Sequence, residues 1–532
     1  MRLLSYILTI PLLALTANLS GQDYKNVRDF EYIRSATPWL SSNNAAGLGT
    51  LPVSRIANVE AVFHKHNGAL TSIEKSSDSF EAGASTEAFM NLSERFSLHG
   101  RLEYMNFNGK NMVGPVMMNP SYNPLNFYES TDKTAGSRNR ETYNLAGGFS
   151  YSITKDLAVG ASIDYTAADM AKKKDPRFVN KWMDLDLNAG LSYRVSDGLT
   201  LGASLIYKRT LEDLTGNVYG NTDKQYDIFV DYGGFYGVLQ MFDGESGYLA
   251  QNNLRPMINN FYGGSLQIEA GTDTKVFNEI TYLKRVGYYG KKASSSITYT
   301  EHSSDFIEYS GVLTTGNSSC LHRVGLDMAV EALRGLKNSY RTHTDEGSES
   351  IIEYFTPKET LAQLAFEGRL SYDGYLGIDN YRPMLEYGIS VDGYMKIAHT
   401  VIFPYMRRSE IKQMSLKAYV LKNLFIKDKN MLTIGLDGIF GVGAGNPNSD
   451  KILVKSTSEA PASLDVFMNR DFEYRTAPQA GGGLRFRYTR FVGPRMGLYI
   501  EAKDCFMSML RSPEYLDGRF RNVLETKIGI TF

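Results

Sequence analysis

The chain has 532 residues and a net charge of −1 at pH 7, so no overall charge favours nucleic acid or an acidic lipid surface. Aromatic residues make up 12%, including 35 Tyr and 27 Phe, and 49 residues are Gly. This composition is typical of a soluble all-β protein or of a membrane β-barrel. The mean hydropathy of −0.28 argues against a helical membrane protein, but a barrel keeps every second strand residue polar.

The first 21 residues have the pattern of an export signal. Arg2 is followed by the apolar run 3–15 and then by small and polar residues, as in a secretory signal peptide. We therefore expect residues 1–21 to be removed and the mature chain to begin near Gln22. No later stretch approaches the roughly 18–20 apolar residues of a membrane helix. An exported chain with strand signals is expected in the cell outer membrane.

Residues 22–57 do not alternate as a strand does, and they contain the segment PWLSSNNAAGLG at 38–49. Small residues of this kind can pack closely against other backbone. The segment precedes the first strand, so it can enter the lumen as a plug or lie across the periplasmic mouth. A disordered leader is the alternative, but it would expose Trp39 and Leu40 to solvent. The candidate plug or hatch residues are Trp39, Asn43, Asn44 and Gly47.

From residue 58 to the end, polar and apolar residues alternate in segments of about ten residues. In the clearest segment, five apolar or aromatic positions from Leu185 to Tyr193 interleave with polar or Gly positions. A period of two indicates a strand, and charges on its polar face imply a wet lumen. We predict an all-β fold in which residues 58–532 form a transmembrane antiparallel outer-membrane β-barrel of about 16–18 strands. Strand assignment between 260 and 400 stays open.

Short and long connections alternate along the chain. Turn-forming sequences such as SDG at 196–198 and GPR at 493–495 join some strands closely. Short periplasmic turns and long extracellular loops at opposite ends are typical of outer-membrane barrels. The predicted long loops lie at about residues 109–140, 213–260, 334–358 and 445–478.

One long loop is rich in Tyr and Gly, which are adaptable binding residues. Exposed aromatic residues in a loop mark a partner or ligand site, but they can equally pack on one another, and both interpretations stay open. The candidate loop-binding residues are Tyr226, Tyr232, Phe235, Tyr236 and Tyr248. A second, basic loop at 172–177 has the charge to meet lipopolysaccharide phosphates, although a solvated loop tip is the simpler interpretation.

The last ten residues, VLETKIGITF, alternate as one strand. The predicted lipid face holds Leu524, Ile528, Ile530 and Phe532, and the predicted lumen face holds Glu525 and Lys527. The chain ends on Phe, which resembles the terminal signal that outer-membrane barrels present to their assembly machinery. We expect this strand to close the barrel against the first one.

Patterns of catalysis and metal binding are sparse. We find no Gly-x-Ser-x-Gly elbow, no His-Glu-x-x-His and no phosphate loop, so we predict no enzymatic activity, no cofactor and no metal site. His64 and His66 share one strand face without a third donor nearby, which favours lumen polarity over a metal site. Cys320 and Cys505 can pair after export, but Cys505 alternates with strand residues like a small apolar filler.

The PWLSSNNAAGLG segment, the alternating strands and the Phe-terminated last strand resemble an uncharacterised outer-membrane β-barrel family of Bacteroidota, known as a domain of unknown function. The resemblance covers nearly the whole mature chain. It implies a single barrel, no assigned enzymatic activity and an association with TonB-dependent uptake proteins. The segment is also similar to the N-terminal Asn-Pro-Ala-Gly-Leu stretch of FadL-type transporters of hydrophobic compounds. Ala45 stands where that family has Pro, which counts against gated lateral diffusion.

These features predict a transport-related barrel, either a channel or an accessory barrel in complex with a TonB-dependent receptor. Residues 22–57 are too few to form the plug domain of an energised receptor. The alternative is a non-conducting surface barrel that binds other proteins, such as a surface lipoprotein. The second alternative is an outer-membrane lipase or protease with catalytic groups converging from separate strands. In each case we expect the barrel to contact outer-membrane lipids and lipopolysaccharide. The identity of the cargo stays open.

Overall fold

The computed structural model describes residues 27–532 except 221–223, 245–247, 250–254, 294–295, 345–349 and 427–428. The predicted signal peptide, 1–21, lies outside the described residues. The helices are α1 (Phe30–Ala36) and α2 (Asp465–Thr476), with 3₁₀ turns at Pro38–Ser41, Ala45–Thr50 and Asp132–Thr134. Among the described residues, no helix is long and apolar enough to cross a membrane.

Strands account for most of the chain from residue 55 onward. They are β1 (Arg55–Asn67), β2 (Asp78–Ser93), β3 (Phe96–Met112), β4 (Asn126–Glu129), β5 (Gly136–Ser152), β6 (Leu157–Lys172), β7 (Arg177–Ser196), β8 (Leu199–Asn217), β9 (Tyr226–Asp231), β10 (Tyr236–Phe242), β11 (Met257–Ala270), β12 (Thr274–Ala293), β13 (Ser296–Asn317), β14 (Cys320–Lys337), β15 (Tyr340–Thr344), β16 (Ser350–Tyr354), β17 (Lys358–Leu376), β18 (Leu385–Ile402), β19 (Tyr405–Ile426), β20 (Asn430–Ile452), β21 (Ala462–Ser463), β22 (Gln479–Gly493), β23 (Met496–Met509) and β24 (Phe520–Thr531).

Eighteen of these strands form one antiparallel sheet that closes on itself, because β1 pairs with β2 on one side and with β24 on the other. Closure leaves no free sheet edge, which a membrane barrel requires because lipid offers no hydrogen bonds to the backbone. The protein is therefore a transmembrane antiparallel β-barrel of the outer-membrane type. The prediction of 16–18 strands is confirmed, with 18 strands observed in the barrel. The stretch 260–400, where strand assignment stayed open, contributes barrel strands as far as β18.

The closing strand β24 has the predicted two faces. Glu525 lies 3.2 Å from His64 of β1, and Lys527 lies 3.4 Å from Glu60 of the same strand. On the other face, the side chain of Ile528 is 53% exposed. The charges therefore point into the lumen and the apolar side chains point outward.

The same division holds around the barrel. Leu205 of β8 and Leu266 of β11 are 74% and 63% exposed on the outer face, as expected of side chains that meet lipid. Inward residues form ion pairs instead, such as Lys208 with Asp184 at 3.1 Å. The alternation read from the sequence thus separates a lipid face from a wet lumen.

The two ends of the barrel differ. Short turns such as 94–95, 197–198 and 494–495 lie at the end where β1 begins and β24 stops. The opposite end carries the four long connections, which confirms the predicted loops. These connections are 113–135, 218–256, 338–357 and 453–478.

Three of the long connections fold together at their end of the barrel. β4, β9, β10 and β21 form a second sheet in the order β21-β10-β9-β4. Helix α2 follows β21 in the chain. It packs against the second sheet through Phe467, which clusters with Tyr128 of β4 and Phe229 of β9. We call β4, β9, β10, β21 and α2 the loop cap. β15 and β16 form a separate hairpin at the same end.

Candidate functional site: the barrel lumen

Residues 27–54, which we call the N-terminal segment, run inside the barrel. Arg34 forms an ion pair with Glu87 of β2 at 3.2 Å. Trp39, which is 3% exposed, packs edge-on against Phe277 of β12 with ring centroids 5.3 Å apart. β2 and β12 lie on different sides of the closed ring. A segment that touches both walls from within a closed sheet lies in the lumen.

Asn43 joins this segment to two strands. Its backbone N–H donates to a carboxylate oxygen of Glu279 at 2.9 Å, and its side-chain amide donates to the Thr281 hydroxyl at 3.2 Å; both partners lie on β12. Its carbonyl accepts a hydrogen bond from the Ser204 hydroxyl of β8 at 2.6 Å. The backbone N–H, the side-chain NH2 and the carbonyl of Asn43 thus each hydrogen-bond to a wall residue.

Asn44 is 1% exposed and hydrogen-bonds to three strands of the wall. Its amide donates to the Leu191 carbonyl of β7 at 2.8 Å and to the side-chain oxygen of Gln267 on β11 at 2.9 Å. Its side-chain oxygen accepts from the N–H of Ala46 at 3.0 Å and caps the following 3₁₀ turn. Leaving one such buried group unpaired costs about 1–3 kcal/mol, so this residue fixes the segment in place.

The wall beside Asn44 is built from small residues. A Cβ added to Gly190 of β7 would lie 2.1 Å from the Asn44 side-chain oxygen, and one on Gly160 of β6 would lie 2.5 Å from the backbone of Ala45. Gly47 has the same role within the segment itself, because a Cβ added to it would lie 2.7 Å from the Trp39 carbonyl. The close approach of backbone to wall therefore depends on glycine on both sides.

These small residues form one continuous row across the inner wall. Register pairs join Ser150 to Gly160, Gly160 to Gly190, Gly190 to Ser204, and Ser204 to Ser265. The row crosses five adjacent strands and makes a shelf on which residues 43–46 lie. We call it the small-residue shelf.

A cavity of about 660 Å³ lies between the N-terminal segment and α2. Asn43 lines it from the segment, Arg475 lines it from α2, and strands β12 to β19 form its wall. We call it the central cavity. Its acidic lining residues are Glu279, Glu308, Asp327, Glu367 and Asp392, and its basic ones are Arg369 and Arg475. The excess of carboxyl groups gives the cavity a field that attracts cations.

The loop cap lies at the other end of the lumen. Tyr232 and Tyr236 are each 3% exposed, and burial raises the pKa of Tyr232 to about 12, so its phenol stays protonated. Phe235 packs on Tyr128 with ring centroids 5.3 Å apart. The candidate loop-binding residues thus contribute to packing inside the cap.

The two remaining candidates of that loop lie nearer the surface of the cap. Tyr248 packs edge-on against Tyr299 with ring centroids 4.5 Å apart. The ring of Tyr226 is partly exposed and lies under the ammonium group of Lys224 at 5.0 Å. All five aromatic residues therefore have packing partners, and a role of these residues in binding stays a prediction.

A buried ion network attaches the cap to the barrel. Glu129 of β4 is 1% exposed and accepts from Arg138 of β5 at 2.8 Å and from the ammonium group of Lys172 at the end of β6. The interpretation of the basic loop as a solvated tip is therefore wrong for Lys172, which is 4% exposed, and holds for Lys173 and Lys174. Lys172 is buried because Glu129 compensates its charge.

Among the histidine and cysteine candidates, the thiol of Cys320 lies 3.2 Å from Nε2 of His322, whose Nδ1 lies 2.8 Å from the Tyr372 hydroxyl. His64 lies between the carboxylates of Glu525 at 3.2 Å and Glu81 at 3.8 Å. Cys320 and Cys505 are both free thiols. Over the described ranges, no three His, Cys, Asp or Glu side chains are placed to hold a metal ion.

Sequence reasoning found the segment but missed the wall that receives it. Gln267, Glu279, Gly160 and Gly190 were not among the candidates, although they contact or accommodate the segment. The available signal was the run of small or polar residues at inward positions of β6, β7, β8 and β11. That signal becomes specific only when the strands are placed in register.

The fold and this lumen define a class of protein: a transmembrane β-barrel whose interior holds an ordered N-terminal segment and is covered by its own loops. The chain belongs to the family of unknown function DUF6850, whose model matches residues 45–532. The expected resemblance to a family of unknown function is thereby confirmed.

Two solved structures illustrate what the chain is similar to. The FrpB iron transporter from Neisseria meningitidis (F5-1 variant) is 7% identical, with a TM-score of 0.39, over 91% of this chain and 84% of that chain. The toluene transporter TodX from Pseudomonas putida is 10% identical, with a TM-score of 0.31, over 96% of this chain and 99% of that chain. No curated protein matches the sequence.

Proposed function

We propose that this protein is a gated outer-membrane channel for small polar solutes, with cations favoured, and that the N-terminal segment is its gate. The observation that carries the proposal is the position of Asn43 and Asn44, which hold the segment across the lumen by hydrogen bonds to β7, β8, β11 and β12. Contacts of this kind can be exchanged for water when the segment moves, at a small net cost.

The central cavity supports the choice of solute. Within the part of the chain that the structure describes, Glu308 and Glu367 line the cavity without an ion pair or a hydrogen bond. Rings of Asp and Glu select cations in channels because they replace part of the hydration shell and offset its charge. A polar cavity of about 660 Å³ suits a hydrated ion or a small organic cation better than a hydrophobic compound.

An accessory barrel opened by a partner is a second form of the same function. The start of the N-terminal segment is anchored by apolar side chains, because Phe30 and Ile33 are buried in one cluster with Phe89 and Tyr375 of the wall. Burying such side chains stabilises by about 1.5–3 kcal/mol each. This anchor favours a gate released by another protein, for which a TonB-dependent receptor or a surface lipoprotein is the proposed partner.

A non-conducting surface barrel is the second candidate function, and the loop cap favours it. Phe127, Val230 and Tyr289 are fully buried in a cluster shared by the cap and the barrel rim. A cap held by such a core stays closed unless the strand ends move with it. The loops would then act as a surface for other proteins rather than as an entrance.

Planar-bilayer recordings separate these functions. We expect brief, rare openings from the whole protein, more openings from the N43A/N44A double variant, and a lasting cation-selective conductance when residues 38–50 are deleted. Selectivity is read from the reversal potential in a KCl gradient. If neither variant conducts although both migrate as folded barrels, the channel proposal fails and the surface barrel stands. A pull-down from native membranes that recovers the barrel alone counts against the accessory form.

A further inference from the structure

The outer wall from β12 to β19 changes character near the long-loop end. Along most of each strand the outward side chains are apolar, as with Leu364 of β17 and Met414 of β19, which are 41% and 56% exposed. Nearer the long loops, the outward positions carry charged and polar side chains. Such charges are costly against the hydrocarbon core of a membrane but cost little at its interface. This part of the wall therefore lies at the level where lipid headgroups begin.

The neighbouring residues in the chain show that these side chains point away from the lumen. Leu333, Leu361 and Ala398 form one buried cluster inside the barrel, and Arg407 donates to the Gly234 carbonyl of the β9–β10 turn at 3.4 Å. Side chains alternate along a strand, so the residues that follow these four face outward. Register pairs join them in one row across β14, β17, β18 and β19: Arg334, Ala362, His399 and Arg408.

Arg334 belongs to a group of two cations and one carboxylate. Asp305 of β13 forms an ion pair with Lys284 of β12 at 3.0 Å. Arg334 lies diagonally across from Asp305 on β14, and its charge also acts on that carboxylate. Diagonal neighbours on one face of a sheet are within reach of long side chains. One carboxylate thus serves two cations, which leaves the group with a surplus of one positive charge.

Arg408 belongs to a second group of the same composition. Glu410 of β19 pairs with Arg408 at 2.6 Å and with Lys412 at 2.5 Å. Two cations again share one carboxylate, so this group also has a surplus of one positive charge. Arg334 and Arg408 are three strand spacings apart along the row, which is about 14 Å. We call the two groups, Lys284–Asp305–Arg334 and Arg408–Glu410–Lys412, the arginine triads.

The positive surplus is confined to this side of the barrel. Nearer the loops on the same side, Glu301 does not cancel it, because it pairs with Lys292 at 3.2 Å. At the same end of the outer wall, β5 to β8 have an acidic surplus instead, because carboxylates outnumber the cations Lys181 and Arg209 there. Register pairs place Lys181 in one row with these carboxylates, which are Glu141, Asp169 and Asp213.

We propose that the arginine triads bind the phosphate groups of lipids in the leaflet on the long-loop side, one phosphate to each triad. A phosphate diester carries a single negative charge, which neutralises the surplus of one triad. The guanidinium fork of each arginine matches two phosphate oxygens. The apolar wall next to the triads, with Leu364 and Met414, meets the acyl chains of the same lipid. A lipid satisfies both surfaces, whereas a free phosphate ion satisfies only the charged one.

Native mass spectrometry on the detergent-solubilised full chain tests the proposal, with dioleoyl phosphatidylglycerol as the probe. Dioleoylglycerol has the same chains without the phosphate, and we expect it to bind at least about tenfold more weakly. R334Q/R408Q should weaken phosphatidylglycerol binding by about tenfold. K181Q/R209Q removes two cations from the acidic side at the same end and is the matched control, which should bind as the wild type does.

The outcomes are decisive once folding is confirmed by heat-modifiable migration, and they do not depend on whether the barrel conducts. Weaker binding in R334Q/R408Q but not in K181Q/R209Q supports the proposal. Equal binding by the two double variants overturns it, as does dioleoylglycerol binding as tightly as phosphatidylglycerol. Displacement of the lipid by an equal concentration of inorganic phosphate would show an ion site and also overturn it.

A second variant keeps the test available if R334Q/R408Q does not fold. R334K/R408K preserves both charges but removes the two guanidinium forks, so we expect a loss of phosphatidylglycerol binding of only a few-fold. Unchanged binding by this folded variant would overturn the assignment of the arginines as phosphate ligands.

Discussion

The side-chain amide of Asn44 donates a hydrogen bond of 2.9 Å to the side-chain oxygen of Gln267, 223 positions further along the chain. Gln267 in turn donates to Glu279 at 2.7 Å, and Glu279 accepts from the backbone of Asn43. Two neighbouring residues of the N-terminal segment are thereby tied to two neighbouring strands through one buried network. Single substitutions can test this attachment, the cap at the other end and the orientation of the wall.

Enlarging the small-residue shelf should displace the N-terminal segment. In G190V the new side chain would occupy the position of the Asn44 side-chain oxygen, which lies 2.1 Å from a Cβ at this position. We expect at least one buried amide to lose its partners, at about 1–3 kcal/mol, and channel openings in bilayers to become more frequent. G100V is the control, because a Cβ on Gly100 meets nothing within 4 Å. Equal opening rates for the two variants would contradict the assignment of the segment as a gate.

Removing Glu129 should loosen the loop cap without unfolding the barrel. E129A leaves Arg138 and Lys172 as buried, uncompensated cations, which typically costs about 3–5 kcal/mol. We expect limited proteolysis to cut within 113–135 while the barrel still migrates as a folded band. The control is E353A, whose pair with Arg341 is exposed at the same end and is worth at most about 1 kcal/mol. A protease-resistant cap in E129A would show that the network is not what attaches it.

The stability of the cap should depend on the protonation of Asp231. This carboxyl is 4% exposed, and burial raises its pKa from 3.8 to about 6, against the backbone hydrogen bonds from Gly233 and Tyr236. The folded state therefore binds the proton more tightly than the unfolded state. The contribution of Asp231 to stability is greatest below pH about 4 and falls as the pH rises to about 6, by up to about 3 kcal/mol.

Calorimetric unfolding between pH 4 and 7 measures this slope. D231N keeps the oxygen that accepts the two hydrogen bonds but cannot titrate. Its unfolding temperature should therefore not show the decline between pH 4 and 6 that we expect of the wild type. D227N, an exposed position on the same strand, should keep the slope of the wild type. A decline that persists unchanged in D231N would assign the pH dependence to other groups.

A charge on the outer wall should impede membrane assembly. Leu205 is 74% exposed near the middle of β8, and an arginine at the bilayer midplane costs about 2–4 kcal/mol. We expect L205R to fold into lipid vesicles with a lower yield, measured by heat-modifiable migration. L453R, at a 48% exposed position beyond the end of β20, should assemble normally. Normal assembly of L205R would mean that this face does not meet the lipid core.

The sequence predicted the strands well because their signal is local. The faces assigned to Glu525 and Ile528 on the last strand are those that the structure shows, since a period of two needs only neighbouring residues. The bounds of the long loops were predicted to within eight residues for the same reason. The N-terminal segment was recognisable because its small residues and Trp39 break the alternation.

Contacts across strands could not be predicted in the same way. Ser150, Gly160, Gly190 and Ser204 are unremarked small residues in the sequence, and they form one row only because four strands meet in a particular register. Lys172 looked solvated because its partner Glu129 lies 43 positions earlier in a loop that folds back. Burial of a charged side chain depends on its ion-pair partner, and no local sequence pattern identifies that partner.

The sequence by itself thus indicated the kind of molecule: an alternating chain with an export signal, whose polar and apolar faces are both satisfied in a closed barrel between lipid and water. The tertiary structure alone decided what occupies the lumen and its end, by placing Asn44 on the small-residue shelf and folding the aromatic loop into the cap. The reason is physical. Alternation is set by the geometry of a single strand, whereas register, closure and the groups that meet inside follow from all the strands together.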